Sequence, residues 1–194
     1  MLYKDAFTQN KRRESMVKKA IEFATQAHEG QFRKGTTRPY IVHPLEVGEI
    51  VATMTDDEEI ISAAILHDTV EDCDGVTVEM IEAEFSARVA NLVAQESEDK
   101  SRSWEERKGA TIERMRIAPR AVKLIGLGDK LSNMRGIDQD YQEVGEEVWN
   151  RFRKKDKNII GWYYKGLRDS FRSEFDGEPA YTEYSKLVEK VFGK

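Results

Sequence analysis

The chain has 194 residues, of which 39% are apolar and 35% charged, a balance typical of one globular domain with a single core rather than of a disordered chain. Its net charge of −5 argues against bulk nucleic-acid binding to a basic surface, although it allows a small anionic ligand in a local basic pocket. No run of about 18 apolar residues is present, so the sequence predicts no membrane span.

The single cysteine and the N-terminal segment indicate the compartment. Cys73 has no second cysteine to pair with, which excludes a disulfide framework and fits a reducing cytosol. The segment "MLYKDAFTQNKRRES" has a basic cluster but lacks the apolar core of a secretory signal. We therefore expect a cytoplasmic protein that binds neither nucleic acid nor membrane, and a homo-oligomer is compatible with the sequence.

Helical periodicity begins in the first half of the chain. "ESMVKKAIEFATQAHEG" forms an apolar stripe that ends at Gly30. "HPLEVGEIVATM" predicts a helix that starts at Pro44, because proline suits a first turn. "DDEEIISAAILHDTVEDC" opens with acidic residues and has an apolar middle, which indicates one central helix. In "TVEMIEAEF", Thr77 is the expected N-cap, with Met80, Ile81 and Phe85 facing inward, and "SARVANLVAQES" follows as a short helix.

The second half repeats this pattern. A polar connection leads into an amphipathic helix that ends before Pro119, and "RAVKLIGLGDKLSNMRGID" is again apolar at helical spacing. Gly126 and Gly128 inside it each cost about 1 kcal/mol, and close helix approach is one reason to tolerate them. Two more helices complete the chain, and alternating strand patterns are nearly absent. The sequence predicts an all-α bundle of about nine or ten helices, as a single domain over residues 1–194.

Polar residues near buried segments indicate a candidate site. Asp68 follows "AAILH" and would be expensive to bury without a metal ion, an ion pair or a hydrogen-bond network as its partner. On one continuous helix, Glu71 would share a face with His67, and Asp72 with Asp68, because each pair is four residues apart.

Two distant segments supply further ligand types. Asp129 follows another apolar run, with Asn133 one turn later, and His43 stands at a turn before Pro44. A site with two histidines and two carboxylates suits Mn²⁺, Fe²⁺ or Zn²⁺ better than Mg²⁺. From the residues alone, a hydrogen-bonded helix end is the more common explanation of a His–Asp pair such as His67–Asp68.

Three blocks of the sequence resemble a known family. "AHEGQFRKGTTRPYIVHP", "AAILHDTVEDCDGVT" and "VKLIGLGDKLSNMRG" are similar, in order and spacing, to the HD-domain hydrolases of the guanosine tetraphosphate system. These include the hydrolase halves of RelA/SpoT-type enzymes and the small stand-alone alarmone hydrolases of the Mesh1 type. The resemblance covers roughly residues 12–172, and we expect the small stand-alone form, an HD-type phosphohydrolase domain.

The resemblance implies a role for each matching residue. It implies hydrolysis of guanosine 3′,5′-bis(diphosphate), and of the pentaphosphate, to GDP or GTP and pyrophosphate, with Mn²⁺ as the cofactor. The family's catalytic acidic pair falls on Glu71 and Asp72, and its substrate contacts fall on Arg33, Lys34 and Asn133. Its metal ligands fall on His43, His67, Asp68 and Asp129.

Departures from the family pattern leave other functions open. Gly136 stands where the family commonly has threonine, which removes a hydroxyl that could reach the nucleotide. An adenine alarmone, or the 2′-phosphate of NADPH, is therefore an alternative substrate. A different class of function, a non-catalytic binding partner or antitoxin-like protein, is also compatible with this fold. Lys130, Arg135, Lys100 and Arg102 are candidates for added positive potential, although solvated surface charge is an equally good interpretation of each.

Overall fold

The computed structural model describes residues 15–95 and 101–193. Over these residues the chain forms ten α-helices and one 3₁₀ helix, and its only extended pairing is an isolated bridge between Phe32 and Pro39. This confirms the predicted all-α bundle. The helices are α1 Met16–Ala27, α2 Val42–Ala52, α3 Glu58–Leu66, α4 Thr69–Asp72, α5 Val78–Glu84, α6 Ala87–Ala94, α7 Trp104–Ile117, α8 Arg120–Val144, the 3₁₀ helix Gly145–Arg151, α9 Lys157–Phe175 and α10 Pro179–Phe192.

Helix α8 is the central element of the bundle. It packs against α2, α3 and α10, and its residues Leu127, Leu131 and Met134 are almost completely buried. One contiguous apolar core runs from Ala20 in α1 to Val191 in α10. Burial on several sides explains why α8 is apolar around much of its surface rather than along one stripe. Within the described residues, every helix is too short or too polar to cross a bilayer.

Close approach of α2 and α8 accounts for a glycine in the middle of α8. A Cβ atom added at Gly128 would lie 2.8 Å from Val51 Cγ2 and 3.3 Å from the Val47 carbonyl oxygen. Both valines are fully buried and branched, so they have little room to move. The expected reason for this glycine, helix–helix contact, is therefore confirmed, and the contact brings the two helices that carry His43 and Asp129 together.

The chain breaks its helix where the sequence predicted continuity. Helix α3 ends at Leu66 and α4 begins at Thr69, so His67 and Asp68 form a turn between them. His67 Nδ1 bonds to the Ala64 carbonyl at 2.8 Å, and Thr69 Oγ1 donates to the Leu66 carbonyl at 2.7 Å. Side chains thus satisfy the last carbonyls of α3 and end it. The predicted single helix was therefore wrong, but the predicted spacing of Asp68 and Asp72 holds, because the Asp72 amide donates to the Asp68 carbonyl at 2.9 Å.

Two smaller expectations are also corrected. Helix α2 starts at Val42, so His43 lies inside its first turn rather than before it. Thr77 does cap α5, accepting from the Met80 amide at 3.3 Å, but the Met80 side chain is exposed while Ile81 carries the buried contact. A helix as short as α5 buries only a narrow face, which periodicity alone does not locate.

Candidate metal centre and active site

Four side chains from three distant segments meet at one point of the bundle. His43 Nε2 lies 3.3 Å from Asp129 Oδ1, which projects from the middle of α8. His67 Nε2 lies 3.1 Å from Asp68 Oδ2 in the turn after α3. The crossed distances, from His43 to Asp68 and from His67 to Asp129, are 3.7 and 3.8 Å. The structure therefore brings together all four residues that the sequence proposed as ligands.

The backbone fixes the orientation of the His67 ring. A carbonyl oxygen can only accept, so Nδ1 must donate to Ala64 O. Nε2 then faces the carboxylates, and although it is close to Asp68 it makes no hydrogen bond with any described group. A buried ring nitrogen held beside two carboxylate oxygens becomes a suitable donor for a cation once it loses its proton.

A chain of hydrogen bonds fixes the His43 ring in the same sense. Ser132 Oγ donates to Glu46 Oε2 at 2.7 Å, so its single proton is committed and it accepts from His43 Nδ1 at 2.8 Å. Arg135 donates to Glu46 at 2.9 Å and forms a bidentate pair with Glu183 of α10 at 2.6 and 2.7 Å. Such partners behind a ligand fix its tautomer and its orientation. Nε2 of His43 is therefore a lone-pair donor aimed at Asp129.

The charges of the cluster follow from burial and mutual contact. Burial lowers the pKa of His43, so this ring is neutral at pH 7. Burial also disfavours the charged form of His67, but the Asp68 carboxylate outweighs it and raises the pKa of His67 to about 9. Burial works against both carboxylates, yet His67 lowers the pKa of Asp68, and Lys130 lowers that of Asp129. At pH 7 one proton therefore sits among two carboxylates, where a divalent cation can replace it.

The donor set fits a divalent metal ion. The ligand atoms of His43, His67 and Asp129 all lie within 4.8 Å of one another, and each of the three residues is buried. Asp68 lies outside that compact set, and its Oδ2 accepts a 2.5 Å hydrogen bond from the Tyr40 hydroxyl. Burial and the neighbouring carboxylates raise the pKa of Tyr40, so its hydroxyl stays a donor to Asp68.

A cavity of about 250 Å³, which we call the metal chamber, opens beside these four residues. Glu71 and Asp72 of α4 line it, as the sequence proposed, and Asp72 Oδ2 lies 3.4 Å from the Tyr40 hydroxyl. Lys130, one of the proposed sources of positive charge, also lines this chamber, and sequence reasoning missed three further cations of α7 there, Arg107, Lys108 and Arg114. Arg107 and Arg114 are seven residues apart, two turns along one side of the helix, and this spacing was the available signal.

A second cavity of about 280 Å³, which we call the basic chamber, adjoins the first. Tyr40 and Asn133 line both chambers and so mark their shared boundary. The proposed substrate residues Arg33 and Lys34 line the basic chamber with Asn133. Additional cations there come from Arg38, Arg151 and Arg153. A molecule with an anionic end at the metal and a second anionic end elsewhere fits this arrangement.

Hydrogen bonds couple the two chambers. Arg33 Nη2 donates to Asn133 Oδ1 at 3.0 Å, and Asn133 Nδ2 donates to Asp129 Oδ1 at 2.5 Å. The Arg33 guanidinium also lies 5.7 Å from the centre of the Tyr40 ring. At Gly136 an added Cβ would lie 3.7 Å from Arg33 Nη2, so the absent side chain leaves this wall open.

The remaining sequence candidates fall in different places. Tyr40 packs edge-on against His43 and lines both chambers, and Tyr163 and Tyr164 are buried, each lining one chamber. Arg135 acts behind His43, while Lys100 lies outside the described residues. Cys73 has an imidazole partner that the sequence did not reveal: its Sγ lies 3.3 Å from His28 Nδ1. Because burial raises the pKa of this thiol, the contact does not make it a nucleophile.

Comparison with known proteins agrees with this geometry. The HD domain family matches residues 20–157. A guanosine-3′,5′-bis(diphosphate) 3′-pyrophosphohydrolase of Vibrio cholerae is 40% identical over 62% of this chain, and this chain spans only 18% of that longer protein. The proteins of the same name designated MESH1 are closer in length. The Xenopus tropicalis protein is 35% identical over 79% of this chain and 86% of its own length, and the human protein is 39% identical over 69% and 74%.

Solved structures give the same result. The crystal structure of lmo0812 from Listeria monocytogenes matches with a TM-score of 0.71 and 35% identity, over 78% of this chain and 99% of that one. A metazoan SpoT ortholog, described as hydrolysing ppGpp, matches with a TM-score of 0.60 and 29% identity, over 82% and 96%. Family match, sequence identity and coverage all lead to one conclusion: this chain belongs to the HD-domain family, alongside the MESH1-type proteins.

Proposed function

We propose that the protein hydrolyses guanosine-3′,5′-bis(diphosphate), and the corresponding pentaphosphate, at the 3′ position, releasing pyrophosphate and GDP or GTP. One observation carries the proposal: a two-histidine, two-carboxylate cluster adjoins a cationic cavity through the shared residues Tyr40 and Asn133. The names of the MESH1-type relatives support the substrate. We further propose that the site lies in the cytoplasm and acts on a free nucleotide.

His43, His67, Asp68 and Asp129 would hold the metal ion, which we propose to be Mn²⁺ because mixed nitrogen and oxygen donors suit it. When bound, such an ion lowers the pKa of water and offsets phosphoryl charge. Tyr40 keeps Asp68 in place through its hydroxyl, and Asn133 does the same for Asp129. The protein's own contribution is thus a set of donors held in place by hydrogen bonds.

The chemical step needs an attacking water, a positioned phosphorus and a leaving oxygen. Water oxygen attacks the phosphorus bonded to the ribose O3′, the P–O3′ bond breaks, and O3′ takes a proton to become a hydroxyl. Glu71, at the edge of the metal chamber, is the proposed proton acceptor from water, with Asp72 assisting. Phosphoryl transfer depends mainly on positioning and charge neutralisation. Lys130 and the α7 cations Arg107, Lys108 and Arg114 supply that positive charge.

Substrate orientation follows from the two chambers. The 3′-diphosphate occupies the metal chamber, and the nucleoside with its 5′-diphosphate extends into the basic chamber. Arg33 offers both a planar face for stacking and a fork for phosphate, whereas Lys34 acts as a point charge. Asn133 stands at the boundary, where the ribose would lie.

The test is a product analysis with purified protein, Mn²⁺ and a panel of guanine and adenine 3′-diphosphates together with NADPH. We expect pyrophosphate from the guanine substrate, with kcat lowered about 10²–10⁴-fold in Glu71→Gln but metal content unchanged. Asp68→Ala should lose metal. The matched control Glu82→Gln removes an exposed carboxylate of α5 and should behave like the wild type.

Each other outcome identifies a different function. Orthophosphate from NADPH alone would indicate a 2′-phosphatase, and preference for the adenine compound would indicate a different alarmone. A folded protein that binds metal but turns over nothing on the panel would contradict the proposal and favour a binding role.

A further inference from the structure

The basic chamber contains a charge opposite to all the others. Among the described residues that line it, Asp140 is the only acidic side chain, set against five cations. A carboxylate would weaken the binding of a purely anionic ligand, so its presence needs another explanation. The five cations are Arg33, Lys34, Arg38, Arg151 and Arg153.

The position of Asp140 suits contact with a planar group. It lies one helical turn after Gly136 on α8, and the missing side chain at Gly136 leaves that stretch of wall open. Apolar surfaces come from Ile137, Phe152 and Tyr164 in the same chamber. Apolar and aromatic walls combined with a few placed polar groups are typical of a small-molecule site, and the two aromatic side chains suit a planar ring.

Asp140 retains free acceptor capacity. Its Oδ2 accepts one hydrogen bond from Arg151 Nη1, at 2.6 Å, and its side chain is 28% exposed. A carboxylate offers about four lone-pair sites and no donor, so one arginine N–H leaves most of them for a ligand. The bond to Arg151 also holds the carboxylate in one orientation, which favours specific rather than diffuse contact.

We propose that Asp140 reads the Watson–Crick edge of guanine and is the purine-specificity determinant of this protein. Guanine presents two adjacent donors there, N1–H and the N2 amino group, which a pure acceptor matches. Adenine presents an N1 acceptor beside one amino donor, so its N1 lone pair would oppose the carboxylate. The inference rests on the proposed function for placing a nucleotide in this chamber, and it names the residue that selects the base.

A different role for Asp140 makes a different prediction. Arg151 packs its side chain against Gly35, where an added Cβ would lie 3.0 Å from Arg151 Cδ. If Asp140 served only to hold Arg151 against this loop, its loss would weaken all nucleotides alike. If Asp140 instead contacts the base edge, its loss changes the ratio of the affinities for guanine and adenine nucleotides.

Equilibrium binding of 5′-diphosphates separates these roles, because GDP, IDP and ADP lack the 3′-diphosphate and are not hydrolysed at that position. With full-length protein and Mn²⁺, we expect the wild type to bind GDP about 10–100-fold more tightly than ADP, with IDP between them because it lacks the N2 amino group. Asp140→Asn should reduce the GDP-to-ADP ratio to within about threefold of unity. Arg151→Gln should weaken both ligands and change the ratio less than Asp140→Asn does, because it leaves the carboxylate in place.

The matched control is Asp138→Asn on the same helix, where the carboxylate pairs with Lys190 at 2.7 Å instead. It should retain the wild-type ratio. Equal wild-type affinities for GDP and ADP, or an unchanged ratio in Asp140→Asn, would overturn the inference. Selective GDP binding without hydrolysis of the bis(diphosphate) would sink the proposed function alone, and hydrolysis with no purine preference would sink this inference alone.

Discussion

The Ser132 hydroxyl allows the metal centre to be perturbed without touching a ligand. Its Oγ lies 2.8 Å from His43 Nδ1 and donates to Glu46 at 2.7 Å. Ser132→Ala removes both bonds without adding volume. Because His43 is 3% exposed, its ring N–H then lacks an acceptor, which costs about 1–3 kcal/mol in stability.

The same substitution acts on metal binding. Without Ser132, the His43 ring can rotate or move its proton to Nε2, the nitrogen that faces Asp129. Loss of such a supporting partner typically lowers metal affinity about 10–100-fold. We expect that decrease for Mn²⁺, measured by isothermal titration calorimetry, together with a smaller metal-induced rise in Tm.

A matched control separates general packing from ligand orientation. Ser170 in α9 is equally buried, and its hydroxyl donates to the Ile112 and Gly166 carbonyls, at 3.1 and 2.9 Å. Ser170→Ala should lose stability while keeping the wild-type Mn²⁺ affinity. If folded Ser132→Ala bound Mn²⁺ as tightly as the wild type, the orienting role of the Ser132–Glu46 chain would be refuted.

Three further predictions follow from the same structure. Because the pKa of His67 is raised to about 9, Mn²⁺ binding at pH 7 should release one proton, and the affinity for Mn²⁺ should fall about tenfold per pH unit from pH 8 to pH 6. Calorimetry in buffers of different ionisation enthalpy measures this release, and no release would mean that His67 is neutral. Gly128→Ala should lower the free energy of unfolding by about 1–3 kcal/mol in urea melts, because the new Cβ would meet Val51. Gly109→Ala is the control: its Cβ would have its nearest neighbour at 3.8 Å, so this variant should be neutral or slightly stabilising. Arg33→Lys should raise KM more than it lowers kcat in steady-state assays, because lysine lacks the planar fork that contacts Asn133; an unchanged KM would contradict that role.

Local patterns in the sequence predicted most helices and the residues that gather at the site. Apolar periodicity located α8, and the position of Asp129 directly after an apolar run showed that a carboxylate would be near the core. The residue types suggested joining it with His43, His67 and Asp68, and the resemblance then favoured this set over a simple hydrogen-bonded helix end. The helical class and the meeting of these residues were both predictable for these reasons.

Features that depend on side-chain contact across the bundle were not predictable. The turn at His67 and Asp68 forms because the side chains of His67 and Thr69 bond to carbonyl groups at the end of α3. Hydrophobic periodicity carries no information about such bonds. The Ser132–Glu46 chain joins residues 86 positions apart. Nor did the sequence show that Asp140 would face a basic chamber, since helix α8 extends further than its apolar pattern.

The most direct test of the central claim follows oxygen from solvent into product. The metal-loaded protein would hydrolyse guanosine-3′,5′-bis(diphosphate) in ¹⁸O-labelled water, and mass spectrometry would locate the label. Attack at phosphorus with cleavage of the P–O3′ bond predicts labelled pyrophosphate and unlabelled GDP, with the rate lost in Glu71→Gln. Label in the GDP ribose, release of orthophosphate, or no turnover by folded, metal-loaded protein would contradict the account.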